Sequence, residues 1–134
     1  METTSRWNMM SASCPTRQVL DRIADKWTML VIVALEHGTL RFSELRRSVG
    51  GISQKMLTQT LRALERDGIV EREVIPTVPV TVRYTLTPLG HSLAAAVRVI
   101  REWAYANMDA IETARAAYEP SAGSPPTPTA AVAG

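Results

Sequence analysis

Apolar positions recur at helical spacing in five stretches of the chain and alternate in two others. From Pro15 to Ala24, Val19, Leu20 and Ile23 gather on one side. Pro15 suits the first position of a helix, where no backbone N–H is needed. Asp25 then serves as an N-cap for Lys26–Leu35, in which Trp27, Leu30, Val31, Ala34 and Leu35 recur with a helical period. Gly38 stands just past that helix, where a left-handed cap is expected. After a short extended piece, Thr39–Arg41, a short helix over Phe42–Val49 turns Phe42, Leu45 and Val49 inward. Gly50–Gly51 marks a turn, and Ser53 caps a further helix that runs to Asp67 and stops at Gly68. Ile69–Ile75 and Val80–Leu86 read as strands. The loop between them carries Pro76 and Pro79 and no two-residue hairpin signature, so it is longer. Thr87 and Pro88, a capping hydroxyl and then a proline, start a last helix that continues to Ala117.

This order predicts a mainly α chain with a small β-hairpin: a winged helix-turn-helix domain with extra helices at its N- and C-terminal ends. The segment Pro120–Gly134 is rich in Pro, Ala, Ser and Gly and carries no charge. It buries too little to offset its ordering entropy. The expected organisation is therefore a loosely ordered stretch over residues 1–13, a folded domain over 14–117 and a disordered Pro/Ala-rich tail over 118–134. Composition agrees with one domain, at 134 residues with 46% hydrophobic and 21% charged. Its single cysteine, Cys14, excludes an intrachain disulfide and fits a reducing compartment. The first residues lack the pattern of a signal peptide, and the longest apolar run, Trp27–Leu35, is far short of a membrane span. The expectation is a cytoplasmic protein without a membrane partner.

Wound as a helix, Ser53–Arg66 separates into two arcs. Met56, Leu57, Thr60, Leu61, Ala63 and Leu64 form one; Gln54, Lys55, Thr58, Gln59, Arg62, Glu65 and Arg66 form the other. The polar arc suits base edges. Gln can bond adenine through two atoms, Lys or Arg can bond guanine, and Thr can touch a thymine methyl. A solvated face of an ordinary helix would look the same, and the surrounding charge decides between the two. Residues 41–66 hold six basic side chains (Arg41, Arg46, Arg47, Lys55, Arg62, Arg66) against Glu44 and Glu65, although the whole chain carries only +2. Arg46 and Arg47 fall before the turn, where phosphate contact is expected, and Arg72, Thr81 and Arg83 fall on the hairpin. Arg72 lies between Glu71 and Glu73, which compete for it. The expected DNA-binding set is Arg46, Arg47, Ser53, Gln54, Lys55, Thr58, Gln59, Arg62, Arg72, Thr81 and Arg83.

The run GISQKMLTQTLRALERDGIVERE, Gly51–Glu73, resembles the HxlR-type family of bacterial winged helix-turn-helix regulators, related in fold to the MarR group. CPTRQVLDRIADKWTMLVIVAL, LRFSELRRSVGGIS and VRYTLTPLGHSL carry the same resemblance, which covers about residues 14–110. It implies a homodimeric transcription factor whose N- and C-terminal helices make the dimer contact. Transferred by position, the recognition helix is Ser53–Arg66 and the wing Ile69–Leu86. Wings of the family often carry prolines followed by a basic residue; here Val80 and Thr81 follow Pro79. The dimer surface expected from both arguments takes in Val19, Leu93, Val97, Ile100, Trp103, Ala104, Met108 and Ile111. The broad apolar stripe along Leu89–Ile111 supports it, since one small domain would struggle to cover that surface. A two-fold dimer places its reading helices about 34–36 Å apart and so expects an inverted-repeat operator.

Some members of the family sense thiol-reactive or electrophilic compounds through an N-terminal cysteine, and Cys14 matches that position. Its place at a helix start lowers a thiol's pKa. The alternative is a small buried residue that only packs. Trp27 reads as core. Trp103 and Tyr105 either pack at the dimer interface or line a pocket for a small-molecule effector. His37 and His91 have no ligand cluster near them, so no metal or other cofactor is expected. No phosphate loop, nucleophile elbow or metalloprotease helix occurs, which argues against an enzyme with catalytic residues. The functional expectation is a sequence-specific DNA-binding regulator, a repressor acting on an operator. A winged helix used for protein contact is the alternative.

Overall fold

The computed structural model describes residues 6–119. Five helices and three strands follow one another as α1 (Pro15–Ala24), α2 (Lys26–Leu35), β1 (Leu40–Arg41), α3 (Phe42–Ser48), α4 (Gln54–Arg66), β2 (Val70–Ile75), β3 (Thr81–Leu86) and α5 (Pro88–Ala117). Residues 1–5 of the expected loose N-terminus and residues 120–134 of the expected tail lie outside the described residues. The chain divides into two compact units, one running to Val99 and one from Ile100. No described helix is long and apolar enough to cross a membrane.

The first unit is built on α2. Its apolar residues surround the helix rather than forming one stripe, and a helix of that kind belongs inside. It packs against α1, α3, α4 and β3. Val31, Ile32 and Leu35 of α2 meet Leu45 of α3, Leu57, Leu61 and Leu64 of α4, and Val70, Tyr84 and Leu86 of the sheet. Each fully buried aliphatic side chain contributes about 1.5–3 kcal/mol relative to exposure. Asp25 caps α2 as expected, its carboxylate accepting the Thr28 N–H at 3.1 Å.

The expected hairpin is part of a three-stranded antiparallel sheet in the order β1-β3-β2. The short piece before α3 supplies the third strand, with Leu40 opposite Tyr84 and Arg41 opposite Arg83. Strand alternation sorts the side chains. Val82, Tyr84 and Leu86 face inward on β3, while Arg83 is exposed between them.

The end of α4 and the start of α5 are joined tightly. Gly68, at φ +76°, closes α4, with its own N–H donating to Glu65 and the Ile69 N–H donating to Leu64. This is the double bond pattern of a Schellman cap. Thr87 caps α5 by accepting the Gly90 N–H at 3.0 Å, and its hydroxyl donates to the Gly68 carbonyl at 2.6 Å. Gly90 packs so closely on the Ile69 carbonyl that a Cβ there would strike it. The first turns of α5 thus belong to the core, and Val97 is only 3% exposed within it. Val97, expected at the dimer surface, is thus buried in the core of its own chain.

Candidate nucleic-acid interface

The turn between α3 and α4 is anchored from below by Val49 and Ile52, both buried. Ser53 sets the start of α4, its hydroxyl accepting the Met56 N–H at 3.0 Å. The two arcs of α4 separate as the spacing predicts. Leu57, Thr60, Leu61, Ala63 and Leu64 are buried, Met56 and Thr58 are half-buried, and Gln54, Lys55, Gln59, Arg62, Glu65 and Arg66 are exposed. The polar face is therefore open over the whole helix.

Ion pairing sorts the basic residues. Arg41 reaches Glu44 at 3.4 Å and Arg66 reaches Asp67 at 3.5 Å. Among the described residues, Arg46, Arg47, Lys55, Arg62 and Arg83 make no ion pair. All five are exposed. Arg46 and Arg47 end α3, where the helix dipole favours positive charge. They line one shallow depression together with Phe42, Ser43 and Gln54, so the end of α3 and the start of α4 present one surface. Glu44, the acid of α3, is engaged by Arg41. Its carboxyl lies below the usual carboxylate range, chiefly because the Arg41 backbone N–H donates to it at 2.8 Å.

Arg72 behaves differently. It sits opposite Tyr84 on β2 and pairs with Glu65 of α4 at 3.4 Å. Its neighbours Glu71 and Glu73, the competitors expected from the sequence, point to the other side of the strand. Arg72 thus ties the sheet to the reading helix, a link that adjacency in sequence did not reveal. Thr81 is half-buried and its hydroxyl lies 3.0 Å from that of Thr77, within the loop that joins β2 to β3. Burial raises the Tyr84 phenol above its usual value.

Cys14 lies at the N-cap of α1, 9% exposed. The Asn8 N–H donates to its Sγ at 3.1 Å, and the Thr16 hydroxyl lies 3.0 Å away. The Thr16 contact, first, and the backbone donors of Thr16 and Asn8 outweigh desolvation and lower the thiol pKa. Arg17 gives its Nε to the Met9 carbonyl at 2.9 Å, which ties the segment before α1 to that helix. Thr16 was not singled out by the sequence; a hydroxyl two residues past a helix-capping cysteine was the available signal.

Of the other expected residues, Val19 is 51% exposed on α1 and Leu93 is half-buried. In the second unit Ile100 is 50% and Trp103 61% exposed; Met108 is also exposed, and Ala104 and Ile111 are half-buried. His37 and His91 are exposed. Among the described residues no group of three or more His, Cys, Asp or Glu could hold a metal ion.

A family model described as HxlR-like helix-turn-helix matches residues 22–112. The chain belongs to the HxlR-like family. It is 44% identical over 108 residues to YtfH of Escherichia coli (strain K12), an uncharacterized HTH-type transcriptional regulator, covering 81% of this chain and 86% of that one. Among solved structures it is similar to the transcriptional regulator ytfH from Salmonella typhimurium, with a TM-score of 0.78 and 43% identity over 82% of this chain and 98% of that one. It is also similar to the redox regulator HypR in its reduced form, with a TM-score of 0.68 and 42% identity over 74% and 98%. This HxlR-like chain is thus a DNA-binding helix-turn-helix transcriptional regulator with a winged fold, and its family is one of regulators rather than enzymes.

Proposed function

We propose that this regulator acts in the cytoplasm as a homodimeric repressor that lays two copies of α4 in successive major grooves of an inverted-repeat operator. The observation that carries this reading is the sorting of charge. Arg46, Arg47, Lys55 and Arg62, which make no ion pair among the described residues, flank the turn and stud the open face of α4. Gln54, Lys55, Thr58, Gln59 and Arg62 read bases. Arg46 and Arg47 hold phosphates, and Arg83 with Thr81 extends the contact along the wing. Ser53 spends its hydroxyl on the helix cap, and Arg72 braces the wing against Glu65.

The test starts from operator DNA selected out of a random library. Affinity should fall steeply with salt as phosphate counterions return. Arg47→Ala should weaken all sequences alike and lower the salt slope by about one. Binding that ignores salt, or no binding, would overturn the proposal in favour of a winged helix used for protein contact.

A second element of the proposal is regulation through Cys14. Its lowered pKa and the similarity to a redox regulator support it. The thiolate adds to an electron-poor ring carbon of a quinone; an S–C bond forms and the ring, after proton transfer, becomes a hydroquinone. A quinone should then weaken operator binding in the wild type and leave Cys14→Ser unaffected. Equal loss in both proteins would remove this element.

A further inference from the structure

The pairing of β1 with β3 brings two arginines face to face. Arg41 stands opposite Arg83 in register, so both side chains leave the same face of the sheet, the one turned away from the core. Both residues are exposed. Like charges directly opposite one another on neighbouring strands destabilise a sheet. The nearby acids do not resolve the conflict. Glu73 stands opposite Arg83 from β2 and makes no ion pair with it. Glu44 reaches the Arg41 side chain at 3.4 Å, but such pairs contribute little where solvent has access. The Glu44 carboxylate is also tied to the Arg41 backbone N–H at 2.8 Å, and it makes no ion pair with Arg83. The two guanidinium groups border one shallow depression, whose walls are completed by Thr39, Glu44 and Thr81.

We propose that Arg41 and Arg83 grip one phosphate of the DNA backbone between them, which makes Arg41 a DNA-contact residue. A phosphodiester brings negative charge to the point where two positive groups meet. Its free oxygens suit the N–H fork that each guanidinium presents. Arg41 directs one nitrogen at Glu44 and keeps its other donors. The depression also lies beside the expected DNA surface. α3 begins at the residue after Arg41, and its far end carries Arg46 and Arg47, which share their own depression with Gln54 of the reading helix. A helix of seven residues spans about 10 Å. The Arg41–Arg83 pair therefore takes a different phosphate from the one given to Arg46 and Arg47. Glu44 and Glu73 lessen the attraction for an unattached anion, which has no other contacts to offset them. A phosphate carried on the operator is held in place by the rest of the interface. The assignment to DNA rests on the DNA-reading function proposed above; the repulsion between the two arginines does not.

The experiment replaces the operator phosphates one at a time by neutral methylphosphonate and measures binding to the full chain. In the wild type, one replacement in each half-site, beside the wing, should weaken binding by about tenfold, the effect of losing charge-assisted contacts. In Arg41→Gln and in Arg83→Gln that same replacement should cost clearly less, and in the double variant nothing. Arg47→Ala should keep the full loss at that position. The inference is overturned if Arg41→Gln keeps the full loss, or if the two variants change the response at different phosphates. It is also overturned if inorganic phosphate, followed by arginine Nε–H NMR signals of the free protein, saturates Arg41 and Arg83 at concentrations that leave Arg47 unaffected. That result would make a free anion the occupant. A measurement without DNA tests the pair itself. In urea unfolding at low salt, the double variant should gain less stability than the sum of the single variants, because one repulsion can be relieved only once. The difference should fade as salt is added. Additive effects at low salt would place the two guanidinium groups too far apart to share a phosphate and overturn the inference. An operator bound with full loss at that phosphate in Arg41→Gln refutes the shared phosphate and leaves the DNA reading standing. A protein that binds no DNA refutes both, whatever the unfolding data give.

Discussion

Arg62 and Arg66 lie one turn apart on α4, yet only Arg66 has an acid within reach. Truncating them should therefore differ in kind. Arg62→Ala should cost about 1–3 kcal/mol in operator binding and relax the preference at one base position. Arg66→Ala should change affinity little, as expected for an exposed paired side chain. Binding to operators varied one base at a time separates the two outcomes; an Arg62→Ala protein with unaltered preferences would remove Arg62 from the base-reading set. At Cys14 the direction of the pKa shift sets the expectation. The thiolate is favoured by Thr16, so alkylation by iodoacetamide should reach half its maximal rate at a lower pH than for the unfolded chain. Thr16→Val should move that midpoint up. Identical midpoints in folded and unfolded protein would show that the Thr16 contact does not act on the thiol. The exposed arginines were legible in sequence as a basic cluster. Which of them are free was not, because pairing depends on side chains seven residues apart, as with Glu65 and Arg72.

Among the elements, α4 was the most legible. A capping serine, a closing glycine and a clean apolar arc agree with one another, and propensity, pattern and caps rarely conflict in a well-specified helix. The same holds for the starts of α2 and α5, where Asp25 and Thr87 make the capping bonds their residue types predict. The joint between α4 and α5 was not legible. Gly90 is the place where α5 meets the Ile69 carbonyl, a contact between residues far apart in the chain. Gly90→Ala should lower stability by about 1–3 kcal/mol in urea unfolding, since backbone rather than a flexible side chain must give way. Gly50→Ala, where an added Cβ meets nothing within 4 Å, is the matched control. Equal stabilities for the two variants would show that the α5 start can shift without cost.

At the scale of the whole molecule, the exposed apolar side chains bear on assembly. The second unit exposes Trp103 at 61% and Ile100 at 50%, and α1 exposes Val19 at 51%. Ile100 and Trp103, three residues apart on α5, share a helix face, and large apolar side chains exposed together mark an interaction surface. Sedimentation at micromolar concentration should find a dimer, and Trp103→Glu should find a monomer with unchanged helix content by circular dichroism. A wild-type monomer, with or without operator, would exclude the two-fold arrangement. Local chemistry was enough to define most of the protein: the helices and strands, the turn before α4 and the polar face of α4 all follow from residue types and their spacing. Those features depend on neighbours a few positions apart, and such neighbours are visible in a linear chain. Packing decided the rest. It joined β1 to β3, withdrew Val97 into the core and turned Arg72 toward Glu65. Each of these depends on which surfaces meet across the fold, and hydrophobic burial, being non-directional, does not write that choice into any local pattern.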